Sequence, residues 1–193
     1  MEQSKITRDA IIEEAIALLS EDGLDGVTLR KLADRLGIKA PSLYWHFRDK
    51  SALLAAVMAQ TFDACLDAVP PQADWREWMR AFGLTLWRTQ TSIRDLGRII
   101  TTTELDASHL RNTQKRIRSR LVGLNIAEED AFRIQSAVQA LVTGWSAFSH
   151  APYARHLSKA VAFDQAVASD LDALIEGKAL QLERSGKRRK RRS

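Results

Sequence analysis

Apolar residues recur at steps of three and four along nearly the whole chain, and no alternating period-2 run is long enough to make a strand. That repeat restricts the fold more than any other feature, because a 3.6-residue period gathers side chains on one face of a helix. Ile11, Ile12, Ala15, Leu18 and Leu19 form one stripe, with Thr7 as a capping residue ahead of it and Gly23 as its expected end. Leu29, Leu32, Ala33 and Leu36 repeat the pattern behind Thr28 and stop at Gly37. A short third helix is predicted from Pro41, whose fixed φ suits a first helical turn, with Leu43 and Phe47 facing inward. A long fourth helix follows Asp49 through Leu53, Leu54, Val57, Met58, Phe62, Cys65 and Leu66. It must end before Pro70-Pro71, which cannot continue a helix. Beyond that break, helices are predicted over 74–90, 92–101, 108–122, 127–150 and 163–184. The fold class is therefore all-α.

Composition excludes other classes. With 45% apolar and 27% charged residues in 193, the chain resembles an ordinary globular domain rather than a disordered one. The longest unbroken apolar run, Ala52 to Ala59, falls far below the roughly 18 residues of a membrane span. Met1 to Lys5 carries no secretory pattern, and one cysteine, Cys65, forms no internal disulfide. A cytoplasmic protein is expected, with Cys65 an inert thiol on the apolar side of the fourth helix.

The net charge of +5 suggests a polyanionic partner, but its distribution matters more. Residues 187–193 hold six cations and no anion; without them 29 basic residues become 23 against 24 acidic ones, a net of −1. Residues 185–193 are expected to be a disordered basic tail adding salt-sensitive, sequence-independent attraction to DNA. Within 28–50, Arg30, Lys31, Arg35, Lys39, Arg48 and Lys50 stand against Asp34 and Asp49, a local +4. There two short helices flank a turn at Gly37, which is helix-turn-helix spacing. With Leu29, Leu32, Ala33, Leu36, Ile38, Leu43 and Phe47 turned inward, the outside is left with Arg30, Lys39, Ala40, Ser42, Tyr44, Trp45, His46 and Lys50. Donors, small residues and aromatics together suit a groove-binding face.

The second helix, Gly37, the run Leu43-Tyr44-Trp45-His46-Phe47, then Lys50 and Leu53-Leu54 strongly resemble the TetR family of transcriptional repressors over about the first 65 residues. The rest resembles the tetracycline-repressor branch more loosely, in helix order and in Arg94-Asp95. The resemblance implies a homodimer with a three-helix head (1–48), joined by a long fourth helix to a helical ligand-binding and dimerisation body (49–184). The residue chemistry agrees: the Thr28 hydroxyl suits a phosphate, and Arg30 a guanine edge. Lys39, Ala40 and Ser42 lie where bases are read, while Tyr44, His46 and Lys50 suit backbone contacts. Family members often carry a polar residue where Ala40 stands, so no operator sequence transfers.

The resemblance also implies an effector cavity. Its expected lining is Leu66, Trp78, Phe82, Leu86, Ile100, Thr103, Ile117, Ile134 and Val138, largely apolar as small-molecule pockets are. Tetracycline repressors hold a magnesium-chelated drug with cavity histidines. The matching positions here are Leu66 and Ile100, so an uncharged or weakly polar effector with no metal or other cofactor is expected. His109, His150 and His156 show no i, i+4 pair and read as surface or capping residues. Along 134–148, Ile134, Val138, Leu141, Trp145 and Phe148 form a large-residue stripe beside a small-residue one of Ala137, Ala140, Gly144 and Ala147. This two-faced helix fits either a central core or a helical dimer interface. No nucleophile–base pair, metal cluster or phosphate loop supports an enzyme. A helix-turn-helix module that binds a protein instead of an operator remains the alternative.

Overall fold

The computed structural model describes residues 6–104, 107–151, 153–157 and 161–190, and among them every regular element is a helix. In chain order these are α1 (Arg8–Gly26), α2 (Leu29–Arg35), α3 (Ala40–Tyr44), α4 (Lys50–Asp67), α5 (Trp75–Ser92), α6 (Leu96–Thr102), α7 (Ala107–Gly123), α8 (Glu128–Ser149), α9 (Ala154–Leu157) and α10 (Phe163–Lys190). Among the described residues no helix is long and apolar enough to cross a membrane.

The chain divides into two compact units. One comprises Met1–Ala64 with Thr89–Leu110, the other Cys65–Arg88 with Arg111–Ser193. In the first unit Ile11, Ile12, Leu18 and Leu19 of α1, Leu32 of α2, Leu43 and Phe47 around α3, and Leu53 and Met58 of α4 share one core. Leu96 and Ile99 of α6 belong to that core too. The turn after α2 closes by two paired bonds: the Ile38 N–H donates to the Ala33 carbonyl at 3.0 Å and the Gly37 N–H to that of Asp34 at 3.2 Å. This closure needs a left-handed residue at its centre, which Gly37 supplies at φ 65°.

Three boundaries depart from the sequence expectation. Gly23 does not end α1 but kinks it, at φ 73° and ψ 179°, and helical structure resumes to Gly26. The helix expected from Ser92 starts instead at Leu96, because Asp95 is left-handed at φ 60° and breaks the run from α5. The last helix passes Arg184 and continues to Lys190, so the expected disordered tail is helical backbone to that point; 191–193 lie outside the described residues. Nothing between Leu182 and Lys190 stops a helix except Gly186, and the flanking Lys and Arg are good helix formers.

In the second unit α8 packs against α10. Ala131, Ile134, Gln135, Val138, Val142 and Ser146 of α8 are buried, as are Val167, Leu171 and Ile175 of α10. Two tryptophans tie their indole N–H groups to α10 carboxylates: Trp87 donates to Asp164 at 2.7 Å and Trp145 to Asp170 at 2.8 Å. Arg80 reaches Asp172 through two nitrogens, at 2.6 and 3.4 Å. Trp145, Phe148, Tyr153 and Phe163 form a ring cluster with centroids 5.4 to 6.1 Å apart. On α8 the small residues Ala140, Gly144 and Ala147 are exposed, whereas Leu141, Trp145 and Phe148 are half-buried.

Close packing at Gly83 makes a prediction. A Cβ there would sit 2.7 and 2.9 Å from the two Leu171 methyls and 3.2 Å from a Val138 methyl. Gly83→Ala should therefore lower stability by about 1–3 kcal/mol through overpacking, despite alanine's better helix propensity. Gly177→Ala in α10, where nothing lies within 4 Å of the new atom, should raise it by up to about 1 kcal/mol. Thermal denaturation of the two variants checks the pair, and equal shifts would contradict it.

Candidate nucleic-acid interface

The exposed surface of α2 and α3 is built from the packing of their inner faces. In α3, five residues long, Leu43 is fully buried, and the ring of Phe47 just beyond it is 2% exposed. The Arg8 guanidinium lies 4.9 Å above that ring's centroid. With those two side chains fixed inward, Tyr44 and Trp45 must face out, at 57% and 89% exposure. Lys39 is the N-cap residue of α3, with Ala40 half-buried and Ser42 exposed behind it. Arg30 is exposed on α2, and His46 is half-buried. The Thr28 oxygen accepts the Lys31 N–H at 3.1 Å, which caps α2 and leaves the hydroxyl proton to donate outward.

The cations of this segment divide into two groups. Lys31 pairs with Asp22 at 2.6 Å, and Arg35 reaches both Glu14 and Glu21, so these two pin α2 onto α1. Arg30 and Lys39 form no ion pair with any described residue and carry their charge on the outer face. Lys50, expected as a backbone contact, donates to the Leu24 carbonyl at 2.6 Å and thereby ties the start of α4 to the α1 kink. Two of its three N–H donors remain.

The α1 kink is also held by a segment some seventy residues away in sequence, which residue patterns alone do not reveal. The Asp95 carboxylate accepts the Leu24 N–H at 2.8 Å, Arg94 donates to the Glu21 carbonyl at 3.2 Å, and Arg98 pairs with Asp25 at 3.2 Å. A Cβ on Gly23 would lie 2.6 Å from an Asp95 oxygen, so glycine is required for this approach as well as for its φ. Arg94-Asp95 stands out in the sequence as a pair, but its partners at 21–25 become visible only in the fold.

The α1–α2 ion pairs carry a pH dependence. The hydrogen bond from Arg35 holds the Glu21 carboxyl below its ordinary value, and that from Lys31 does the same for Asp22. A carboxylate with a lower pKa folded than unfolded stabilises the fold fully above the ordinary carboxylate range, about pH 4, and loses that contribution as pH falls through the folded value. The head should lose stability below about pH 4, and a Glu21→Gln, Asp22→Asn double variant should flatten that acid limb in a plot of melting temperature against pH. An unchanged limb would sink the assignment.

Of the expected effector residues, Leu66, Trp78, Phe82, Leu86, Ile117, Ile134 and Val138 are buried in the second unit, with Trp78 and Phe82 stacked at 5.8 Å. Ile100 and Thr103 are half-buried and belong to the first unit. None of the nine lines a separate cleft of about 410 Å³ in the second unit, whose walls include Trp75, Ile126, Asp130, Arg133 and Leu182. Leu66 and Ile100 offer no donor atom to a metal, and among the described residues no cluster of His, Cys, Asp or Glu could hold one. His150 and His156 are exposed, and the described positions say nothing of the His109 side chain.

An all-helical chain whose first three helices bury one face and leave Arg30, Lys39, Ser42, Tyr44 and Trp45 on the other has the build of a helix-turn-helix protein. Residues 11–57 match the family described as bacterial regulatory proteins, tetR family. It is 30% identical over 149 residues to the class D tetracycline repressor protein of Escherichia coli, covering 76% of this chain and 63% of that one. It is 34% identical over 142 residues to the class A repressor from transposon 1721 in Escherichia coli, covering 72% and 62%. The chain thus spans about three-fifths of the length of these relatives. Among solved structures, TetR from Acinetobacter baumannii AYE superposes with a TM-score of 0.70 at 29% identity, over 89% of this chain and 96% of that one. A possible TetR family regulator from Streptomyces coelicolor A3(2) shares the fold, with a TM-score of 0.74 at 23% identity over 89% and 98%.

Proposed function

We propose that this chain is a sequence-specific DNA-binding regulator, a repressor acting in the cytoplasm as a homodimer and not an enzyme. In this reading a palindromic operator is released when a small molecule binds the body. The observation that carries it is the sorting of side chains on α3. Leu43 and Phe47 are buried anchors while Tyr44 and Trp45 between them are 57% and 89% exposed, so an outer face is presented next to the charges of Arg30 and Lys39. Lys39, Ala40 and Ser42 read base edges, with Ala40 able to meet only a thymine methyl. Arg30 takes a guanine, while Thr28, Tyr44, Trp45, His46 and Lys50 set register on phosphates and sugars. The head spans 1–48, the connecting helix and body 49–184, and a basic stretch 185–193.

Two heads on one palindrome require half-sites about 34–36 Å apart, and the exposed small-residue stripe of α8 supports close approach of a second copy. A class A TetR structure at 28% identity holds 5a,6-anhydrotetracycline and magnesium. With Leu66 and Ile100 lacking donor atoms, the effector here is an apolar or weakly polar molecule bound without a metal. It acts through differential affinity: a preference of about 10⁴-fold for the non-binding state empties the DNA-competent population.

The test is selection of bound sites from a random duplex pool. Recovery of one palindrome supports both operator reading and dimer symmetry. Absence of any retention, at low as at high salt, overturns the reading in favour of a protein-binding helix-turn-helix module.

A further inference from the structure

We infer that Gln135 of α8 reads the polar edge of the effector, and that this effector is a largely apolar molecule carrying a hydrogen-bond donor beside an acceptor, as an amide does. The inference rests on the reading of the body as an effector site. Gln135 is 3% exposed, yet its side-chain carbonyl oxygen has no hydrogen-bond partner among the described residues. An acceptor removed from water and left unpaired works against folding, so such a group calls for a donor from outside the chain. Positions where a residue conflicts with its surroundings in this way are disproportionately functional.

The helix itself does not satisfy this oxygen. The buried hydroxyls of Thr61 and Ser146 also have no partner, but a serine or threonine hydroxyl rotates and can donate to the carbonyl one turn back in its own helix. A glutamine oxygen only accepts, and well inside α8 the neighbouring N–H groups are engaged in the helical ladder. Gln135 shares the inner face of α8 with Ala131, Ile134, Val138 and Val142, all buried and apolar. Val138 and Leu171 close over Gly83 so tightly that a Cβ there has no room. Three residues before Val138, Gln135 is turned about 60° around the helix axis from that junction. An apolar face with one unpaired carboxamide has the composition of a small-molecule pocket, where a few polar groups fix orientation. A carboxamide presents an acceptor and donors side by side, so its complement is a donor beside an acceptor, found in a primary amide or a lactam. Rotating the amide to exchange its two ends leaves that requirement unchanged. An ester or ketone of the same shape accepts only and leaves the oxygen unpaired.

The experiment uses two probes with one apolar body: 2-naphthamide, which has the donor–acceptor edge, and methyl 2-naphthoate, which has acceptors alone. Binding to the full chain without DNA is followed by quenching of tryptophan fluorescence, in the parent and in Gln135→Leu and Gln135→Met, two variants of similar side-chain size. The parent should hold the amide about tenfold more tightly than the ester, and both variants should lose that ratio through weaker amide binding. Without probe, the variants should melt no lower than the parent, because no hydrogen bond is lost. Equal binding of the two probes by the parent, a ratio retained in the variants, or no amide binding up to about 1 mM overturns the inference. So does a lower melting temperature in both variants, which would mean that a buried water already pairs the oxygen. Failure of the operator reading looks different: the probe ratio and its loss persist, while the random duplex pool yields no palindrome.

Discussion

Arg30→Ala or Tyr44→Ala should abolish retention of the selected operator in a gel shift while leaving the melting temperature nearly unchanged. Both side chains are exposed, and Arg30 has no ion pair with a described residue to lose, so stability should move by no more than about 0.5 kcal/mol. The loss in binding is larger because, in the proposed symmetric dimer, each contact is removed twice. At about 1–3 kcal/mol per specific contact, two half-sites give about 2–6 kcal/mol, or about thirtyfold to more than ten-thousandfold in affinity. Arg30→Ala should also relax base preference at one position of each half-site, whereas Tyr44→Ala should weaken all sequences alike. Operator affinity that stays at the parental level in either variant removes that residue from the interface.

The second large effect is on folding. Phe47→Ala should destabilise the head by about 3–5 kcal/mol, because it empties a buried ring site in a core that α3, five residues long, cannot refill by itself. Trp45→Ala, two residues away and 89% exposed, should shift stability by less than about 0.5 kcal/mol while weakening DNA binding. Urea denaturation with amide exchange read at α1 to α3 separates the two. A similar unfolding midpoint for both variants would mean that the inward and outward faces of α3 are wrongly assigned.

Much of this was legible from residue order. Leu43 and Phe47 are four apart and had to share a helical face, Gly37 supplied the left-handed turn, and Pro70-Pro71 could only follow the end of α4. These are local effects, set within one helical turn. The division of the basic residues was not legible. Arg30 and Lys31 are neighbours of like charge, and only the position of Asp22 on α1 makes one a staple and leaves the other free. Nor does residue order reveal that Lys50 ties the start of α4 to the Leu24 carbonyl. The late start of α6 depends on Asp95, whose left-handed backbone accompanies a hydrogen bond 71 residues away in sequence. A helical period carries no information about such pairings. The end of α10 departs for the opposite reason: a run of like charges suggests disorder, yet its residues are good helix formers and α10 extends to Lys190.

The core under α2 and α3 includes Leu96 and Ile99, which enter the chain after α4 and α5 have already passed. A minimal helix-turn-helix peptide cut at residue 64 would therefore leave behind a wall of its own interior and expose oily surface in its place. Anyone grafting this head onto a foreign sensor must transplant two separated stretches of gene, and the second brings with it the Arg94-Asp95 grip on the α1 kink.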